Sequence, residues 1–377
     1  MKILIINNAE LNAIPPVRNL VDVLLDLGHS VVLVSRDKDN AMKVYNANGV
    51  KTYLLRGNPD NIFGKVLAVF QRRRQIRRII EKEIPNCDLL WAASDRSALD
   101  VGMKYLKKYR CIVQLLELAN DIPMYNGQSF VMANLKKYAK LARKIVVPEY
   151  NRAHILQTWW DLKETPVILP NKPYKLPPSN TPDEVKNQLI KLINEKRKVV
   201  LYQGDFNPDR DLESVADALE PMENYALYLL GRPNNYLDKL LHKKPTIEYL
   251  GYIQPPYHIC AARYADLGLL PYKPTKSMRE HSELNALYCA PNKIYEYASQ
   301  GLPMIGPDIP GLKFPFELYG VGECYQGNKQ SIIQAIYKVE SNIDEYKANC
   351  LKFWALDNIA DIVYSIISDN RYEDNAE

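Results

Sequence analysis

A chain of 377 residues exceeds what one hydrophobic core usually organises, so two domains are expected. With 47% hydrophobic and 25% charged residues it has the composition of a globular protein, which excludes a disordered chain, and a net charge of +5 is too mild to indicate nucleic acid by itself. The cysteines (Cys87, Cys111, Cys260, Cys289, Cys324, Cys350) are too scattered for a zinc site or a disulfide framework and are expected as reduced structural thiols.

The opening MKILIINN carries one positive charge and an apolar run that ends at Asn7. That run is too short for a signal-peptide core and reads as a buried first strand. No apolar stretch approaches the roughly 20 residues that span a bilayer, so a cytoplasmic protein is expected. Strand-like runs at Lys2–Ile6, Ser30–Ser35, Lys51–Leu55, Asp88–Ala92, Arg110–Leu115 and Lys144–Val147 alternate with helical patterns, the signature of a parallel sheet wrapped by helices. Between Gly64 and Glu83, Lys65, Arg72, Arg73, Arg74, Arg77, Arg78 and Lys82 stand among Val66, Leu67, Val69, Phe70, Ile76, Ile79 and Ile80. At helical spacing the apolar residues form one stripe with the arginines around it. Such a helix is either the solvated outer face of a core helix or a surface laid on an anionic membrane, with the protein then peripheral at the inner face; nucleic acid is the least favoured partner.

From Glu164 to Asp183 the prolines at 166, 170, 173, 177, 178 and 182 exclude a helix or a central strand, which makes this the best domain boundary. The expected organisation is an N-terminal domain at 1–165, a linker at 166–183, a second domain at 184–343 and C-terminal helices at 344–377 that return toward the first domain. After the linker the alternation restarts with strands at Lys198–Gln203, Ala226–Gly231, Ile247–Leu250, Leu267–Pro271 and Pro303–Gly306. Two doubly wound α/β domains follow. The tail from Asp369 onward is acidic, polar and expected to fray.

Two segments of the second half carry chemistry. In LYQGDFNPDRDLESV, residues 201–215, a strand ends at Gly204, a polar loop brings Arg210, and a helix starts near Asp211. A glycine at the carboxyl end of a parallel strand lets a ligand approach the backbone, and an arginine at that entrance offers a forked donor for a diphosphate. In NALYCAPNKIYEYASQGLPMIGPDIPG, residues 285–311, Pro291 and Asn292 open a helix whose Lys293 and Glu296 share a face. A cation for phosphate and a carboxylate for a ribose diol are the two handles of a nucleotide.

The run APNKIYEYASQGLPMIGPDIPG resembles the donor-binding signature of the family-4 retaining glycosyltransferases of the GT-B fold. LYQGDFNPDRDLES, YLLGR (228–232), EYLGYI (248–253) and ADLGLLPY (265–272) follow in that family's order, and VVPEYNRAHIL (146–156) and VILPNKPY (167–174) are similar to it more loosely. The resemblance implies two Rossmann-like doubly wound domains facing a central cleft, with the nucleotide sugar held by the C-terminal one. It implies Arg210 and Lys293 on the diphosphate as catalytic groups, Glu296 on the ribose, Gly204 and Asn292 at the phosphates, and Asn285, Ala286, Leu287 and Tyr288 at the sugar. His281 lies near that loop. Tyr288 replaces a glutamate common in the family, and Asp205 replaces an arginine.

The N-terminal domain is then expected to bind a saccharide or lipid-linked acceptor on the loops Asn7–Pro16, Ser94–Ser97, Glu117–Tyr125 and Glu149–Arg152, through Asn8, Glu10, Glu149 and Arg152. Glu117 stands where relatives show a His-Glu pair, with Leu116 at the histidine position, and either orients a reacting group or caps its loop. The family's glycine-rich first loop is absent. Histidines 29, 154, 242, 258 and 281 have no metal spacing, and the implied reaction needs no metal and no cofactor besides the donor. Hexosyl transfer with retention in surface polysaccharide or glycoconjugate assembly is the expected activity. A nucleotide-sugar epimerase or hydrolase and a catalytically silent partner of another transferase are the alternatives.

Overall fold

The computed structural model of the protein describes residues 1–57, 59, 61–125, 128–274 and 283–369. Its chain divides into an N-terminal unit of 1–174, 276–285 and 358–377 and a C-terminal unit of 175–275 and 286–357. His281 and the tail after Asp369 lie outside the described residues.

In the N-terminal unit the strands are β1 (Lys2–Glu10), β2 (Ser30–Arg36), β3 (Lys51–Leu54), β4 (Leu89–Ala92), β5 (Cys111–Gln114), β6 (Asp121–Tyr125), β7 (Gln128–Asn134), β8 (Lys144–Val147) and β9 (Val167–Ile168). Seven of them form a parallel sheet in the order β3-β2-β1-β4-β5-β8-β9, while β6 and β7 pair with each other as an antiparallel hairpin. Residues Ile3–Ile6 of β1 are completely buried because helices cover both faces, which is why this strand reads as an unbroken apolar run. Val167 and Ile168, inside the proline-rich segment, are confined to the sheet edge, where missing donors cost least.

In the C-terminal unit β10 (Lys198–Gln203), β11 (Tyr225–Leu230), β12 (Glu248–Tyr249), β13 (Leu267–Leu269), β14 (Met304–Pro307) and β15 (Gly322–Tyr325) build a parallel sheet in the order β12-β11-β10-β13-β14-β15. Both sheets reverse their winding beside their first strand, between β1 and β4 and between β10 and β13. Ligands of open α/β sheets bind outside the carboxyl ends of the strands at such a point.

The helix Ile62–Glu83 departs from the single-stripe reading. Ala68, Val69, Arg72, Ile76, Ile79 and Ile80 face inward, whereas Leu67 and Phe70 remain 57% and 50% exposed beside exposed Arg74, Arg77 and Arg78. Arg72 is only 1% exposed and donates to the carbonyls of Arg56 and Gly57. Burial and the nearby Arg36, Arg96 and Arg73 push its guanidinium down to about 10, against the pull of Asp100. No helix among the described residues is long and apolar enough to cross a membrane.

The C-terminal residues split between the units. The helix Ile343–Leu356 packs on the C-terminal unit. The helix Ile359–Ser368 instead inserts Ile359, Val363, Ile366 and Ile367 into the core formed by Ile3, Ile5, Leu20 and Leu24. Arg110 donates to the Ile367 carbonyl at 2.8 Å, and Lys144 pairs with Asp369 at 2.6 Å. Ile366→Ala leaves a cavity in that core and is expected to cost about 2–5 kcal/mol. Urea unfolding followed by circular dichroism should show the N-terminal unit's transition at lower urea; an unmoved transition would show that this helix adds nothing to that core.

Candidate functional site

The carboxyl edge of the C-terminal sheet is shaped by glycine. Gly204 follows β10 with φ +141°, a conformation that side chains rarely adopt, and a Cβ there would lie 2.6 Å from both Cε and Nζ of Lys293. Gly231 follows β11, and a Cβ on it would lie 2.0 Å from the Gly204 carbonyl oxygen. Gly204 N–H donates to Leu230 at 2.8 Å and Gly231 N–H to Gly251 at 2.9 Å, so the ends of β10, β11 and β12 are sewn together backbone to backbone.

Two cations share this edge. The Lys293 ammonium lies 5.4 Å from the centre of the Tyr202 ring and 5.9 Å from that of Tyr272, and the Arg210 guanidinium stacks on Tyr272 at 4.1 Å. Among the described residues neither cation forms an ion pair with a carboxylate, and Arg210 Nε is buried without a hydrogen-bond partner. The Arg210 loop is held by its own bonds: Arg210 N–H donates to Asn207 at 3.0 Å, Arg210 bridges Tyr272, and the Asp211 side chain caps the next helix at Ser214. The neighbouring Asp205 is exposed, and its carbonyl accepts from Tyr202 Oη at 2.6 Å.

Glu296 lies one helical turn beyond Lys293 in the helix Asn292–Ala298 and is 5% exposed. Its Oε1 lies 3.3 Å from His258 Nε2, and its Oε2 accepts from Gln203 Nε2 at 2.8 Å. Burial opposes the charged carboxylate, yet His258, Lys293 and Gln203 outweigh it and hold Glu296 below the usual carboxylate range. The helix is pinned to β10 by Tyr297, whose hydroxyl accepts from Gln203 N–H and donates to the Leu201 carbonyl, both at 3.1 Å. Gly268 on β13 makes room for that ring. Asn292, half-buried, starts the helix after Pro291.

The run expected to meet the sugar is divided. Ala286, Leu287 and Tyr288 are half-buried in the C-terminal unit, where Leu287 packs on the core and Gly311 admits the backbone of Tyr288 and Cys289. Asn285 belongs to the N-terminal unit: its Oδ1 accepts from Leu118 N–H at 2.7 Å and its Nδ2 donates to Glu117 Oε2 at 2.8 Å. Arg152, 3% exposed, donates to the carbonyls of Asn285 at 3.2 Å and Leu116 at 2.7 Å. Glu117, Arg152 and Asn285 therefore form one cluster.

The other N-terminal candidates fall elsewhere in that unit. Glu149 caps the helix Tyr150–Trp160, its oxygens taken by Arg152 N–H at 3.0 Å and Asn151 Nδ2 at 2.7 Å. Buried Asn8 donates through its N–H to Ser97 Oγ at 3.0 Å and through Nδ2 to Asp100, which also holds Arg73 at 2.7 Å. Glu10 pairs with Arg36 at 3.4 Å. Among the described residues no group of three or more His, Cys, Asp or Glu side chains is placed to hold a metal ion.

Sequence reasoning missed Tyr202, Gln203, His258 and Tyr272. Tyr202 and Gln203 stand directly before Gly204, and Tyr272 ends the ADLGLLPY run, so proximity to the strand ends was an available signal. His258 offered none.

No family model matches the chain, and no curated protein matches it. Solved structures do. HepE from Anabaena, in complex with UDP-glucose, is 14% identical over 97% of this chain and 98% of its own, with a TM-score of 0.66. A glycosyltransferase from Rickettsia africae is 14% identical over 98% of each chain, with a TM-score of 0.65. A putative UDP-N-acetylglucosamine 2-epimerase from Listeria monocytogenes is 11% identical over 97% of this chain and 94% of its own, with a TM-score of 0.63. At such identities the likeness speaks for architecture alone, and that architecture, two parallel-sheet α/β domains along nearly the whole chain, is the GT-B fold.

Proposed function

We propose that the chain transfers a hexosyl group from a nucleoside diphosphate sugar to a saccharide or lipid-linked acceptor, as a metal-independent, retaining family-4 enzyme of surface polysaccharide or glycoconjugate assembly. The observation that carries this reading is the pairing, on one sheet edge, of two cations that form no ion pair with a carboxylate among the described residues and a buried carboxylate held below the usual carboxylate range. Arg210 and Lys293 suit a diphosphate, and Glu296 suits a ribose diol. The structural neighbour HepE, solved with UDP and with UDP-glucose, supports a uridine nucleotide as the first ligand to try.

In this mechanism the protein supplies no nucleophile. Lys293 and Arg210 stabilise charge as it develops on the departing diphosphate, and the glycine edge brings that group against the backbone. Ala286, Leu287 and Tyr288 contact the sugar. Asn8, Glu10, Glu149 and Arg152 shape the acceptor side, where Glu117, held by Asn285, orients the acceptor hydroxyl; its oxygen bonds the anomeric carbon as the bond to the diphosphate breaks, and the departing diphosphate takes the hydroxyl proton. The Listeria neighbour's printed activity favours one second reading, an epimerase acting on the nucleotide sugar alone. Turnover of donor without any acceptor would distinguish it.

The helix Ile62–Glu83 supports a peripheral site of action in the cytoplasm at an anionic membrane. Exposed Phe70 shares a surface hollow with Arg73, Arg74, Arg77 and Arg78, and among the described residues Arg74, Arg77 and Arg78 form no ion pair with a carboxylate. An apolar tip beside the exposed guanidinium groups of Arg74, Arg77 and Arg78 suits lipid headgroups.

A thermal-shift series with UDP, GDP, ADP and CMP is expected to raise the melting temperature with at least one nucleotide, since a ligand of the folded state alone stabilises it. Glu296→Ala should weaken that nucleotide about ten-fold or more, and Lys293→Ala should lower kcat by about 10²–10³. Parent-like behaviour of both variants would remove the site. Separately, the protein should co-sediment with phosphatidylserine vesicles, and replacing Arg74, Arg77 and Arg78 together by Gln should abolish this; equal sedimentation of the variant would exclude the helix as the membrane face.

A further inference from the structure

Two buried side chains around Glu296 have no other hydrogen-bonded work for the groups they turn toward it. Gln203 is 2% exposed, gives Nε2 to Glu296 Oε2, and leaves its own Oε1 buried without a partner. His258 opens the 3₁₀ helix Tyr257–Tyr264, brings Nε2 to within 3.3 Å of Glu296 Oε1, and leaves Nδ1 buried without a partner. Each side chain therefore directs one donor to Glu296, and that donor makes no second contact among the described residues.

A carboxylate offers about four acceptor positions, two on each oxygen. Gln203 and His258 occupy one on each, from opposite oxygens, and so leave one on each. Two adjacent acceptors on a rigid, nearly enclosed carboxylate match a vicinal diol and mismatch a single hydroxyl, because a ligand lacking one hydroxyl strands an acceptor away from water. From this arrangement we infer that His258 and Gln203 are positioning residues that turn Glu296 into a selector for ribose over 2′-deoxyribose. The inference rests on the donor-site reading above and adds to it which groups set the sugar selectivity of the nucleotide.

The test compares the best-binding nucleoside diphosphate among UDP, GDP and ADP with its 2′-deoxy analogue by calorimetry, on the parent, His258→Ala and His258→Gln, each first shown to melt cooperatively. The parent should prefer the ribonucleotide by about ten-fold or more. In His258→Ala the preference should fall to about two- to three-fold through weaker ribonucleotide binding, with the deoxy form nearly unchanged, and the donor restored in His258→Gln should recover much of it. A merely structural role would weaken both nucleotides together and leave their ratio intact, which would overturn the inference while leaving the donor site standing. Failure of every nucleotide to bind the parent would overturn both.

Discussion

The Lys293 side-chain end lies beside Gly204, whose φ of +141° is a backbone conformation that any other residue adopts only under strain. The rest of the carboxyl edge is packed around the same glycine. Gly231 must also lack a side chain, because a Cβ there would lie 2.0 Å from the Gly204 carbonyl oxygen. Tyr202 and Tyr272 provide ring faces for Lys293, which forms no ion pair with a carboxylate among the described residues, and Tyr272 holds Arg210 in the same way. Aromatic faces steady the charges without neutralising them, which keeps both available to an anion.

The two sheets treat their edges differently. At the end of β1 the polar groups are engaged within the unit: Asn8 with Ser97 and Asp100, Asp100 with Arg73, and Glu10 with Arg36. Glu149 spends its oxygens on a helix start, and Arg152 spends its guanidinium on two carbonyls. The charges at the end of β1 are paired with opposite charges, whereas at the end of β10 Arg210 gives one hydrogen bond to the Asp209 carbonyl and, like Lys293, forms no ion pair with a carboxylate among the described residues. The chemistry proposed for this chain therefore rests on the C-terminal edge.

Legibility of the sequence followed burial. Strands covered on both faces, such as β1 and β10, read as unbroken apolar runs and were visible from composition alone. The hairpin of β6 and β7 and the short β15 were not, because a lone hairpin and a four-residue edge strand carry little periodicity. Arg72 misled the reading of its helix: arginine was counted outward, but the space below it accommodates a guanidinium on backbone carbonyls, and Leu67 and Phe70 are left outside. Lys293 and Glu296 were readable because they lie one turn apart on one helix. Arg210 against Tyr272, or His258 against Glu296, joins residues far apart in sequence, and only the fold brings them together. Asn285 shows the converse, since the residues that follow it lie in the C-terminal unit while its bonds go to Glu117 and Leu118.

The central claim is that phosphate and ribose are grasped at one edge, by Lys293 with Arg210 and by Glu296. A crystal structure with bound UDP tests it most directly. The account predicts diphosphate oxygens within hydrogen-bonding distance of Lys293 Nζ and the Arg210 guanidinium, with both ribose hydroxyls on the Glu296 carboxylate. Density for the nucleotide elsewhere, or with its ribose turned away from Glu296, would contradict it.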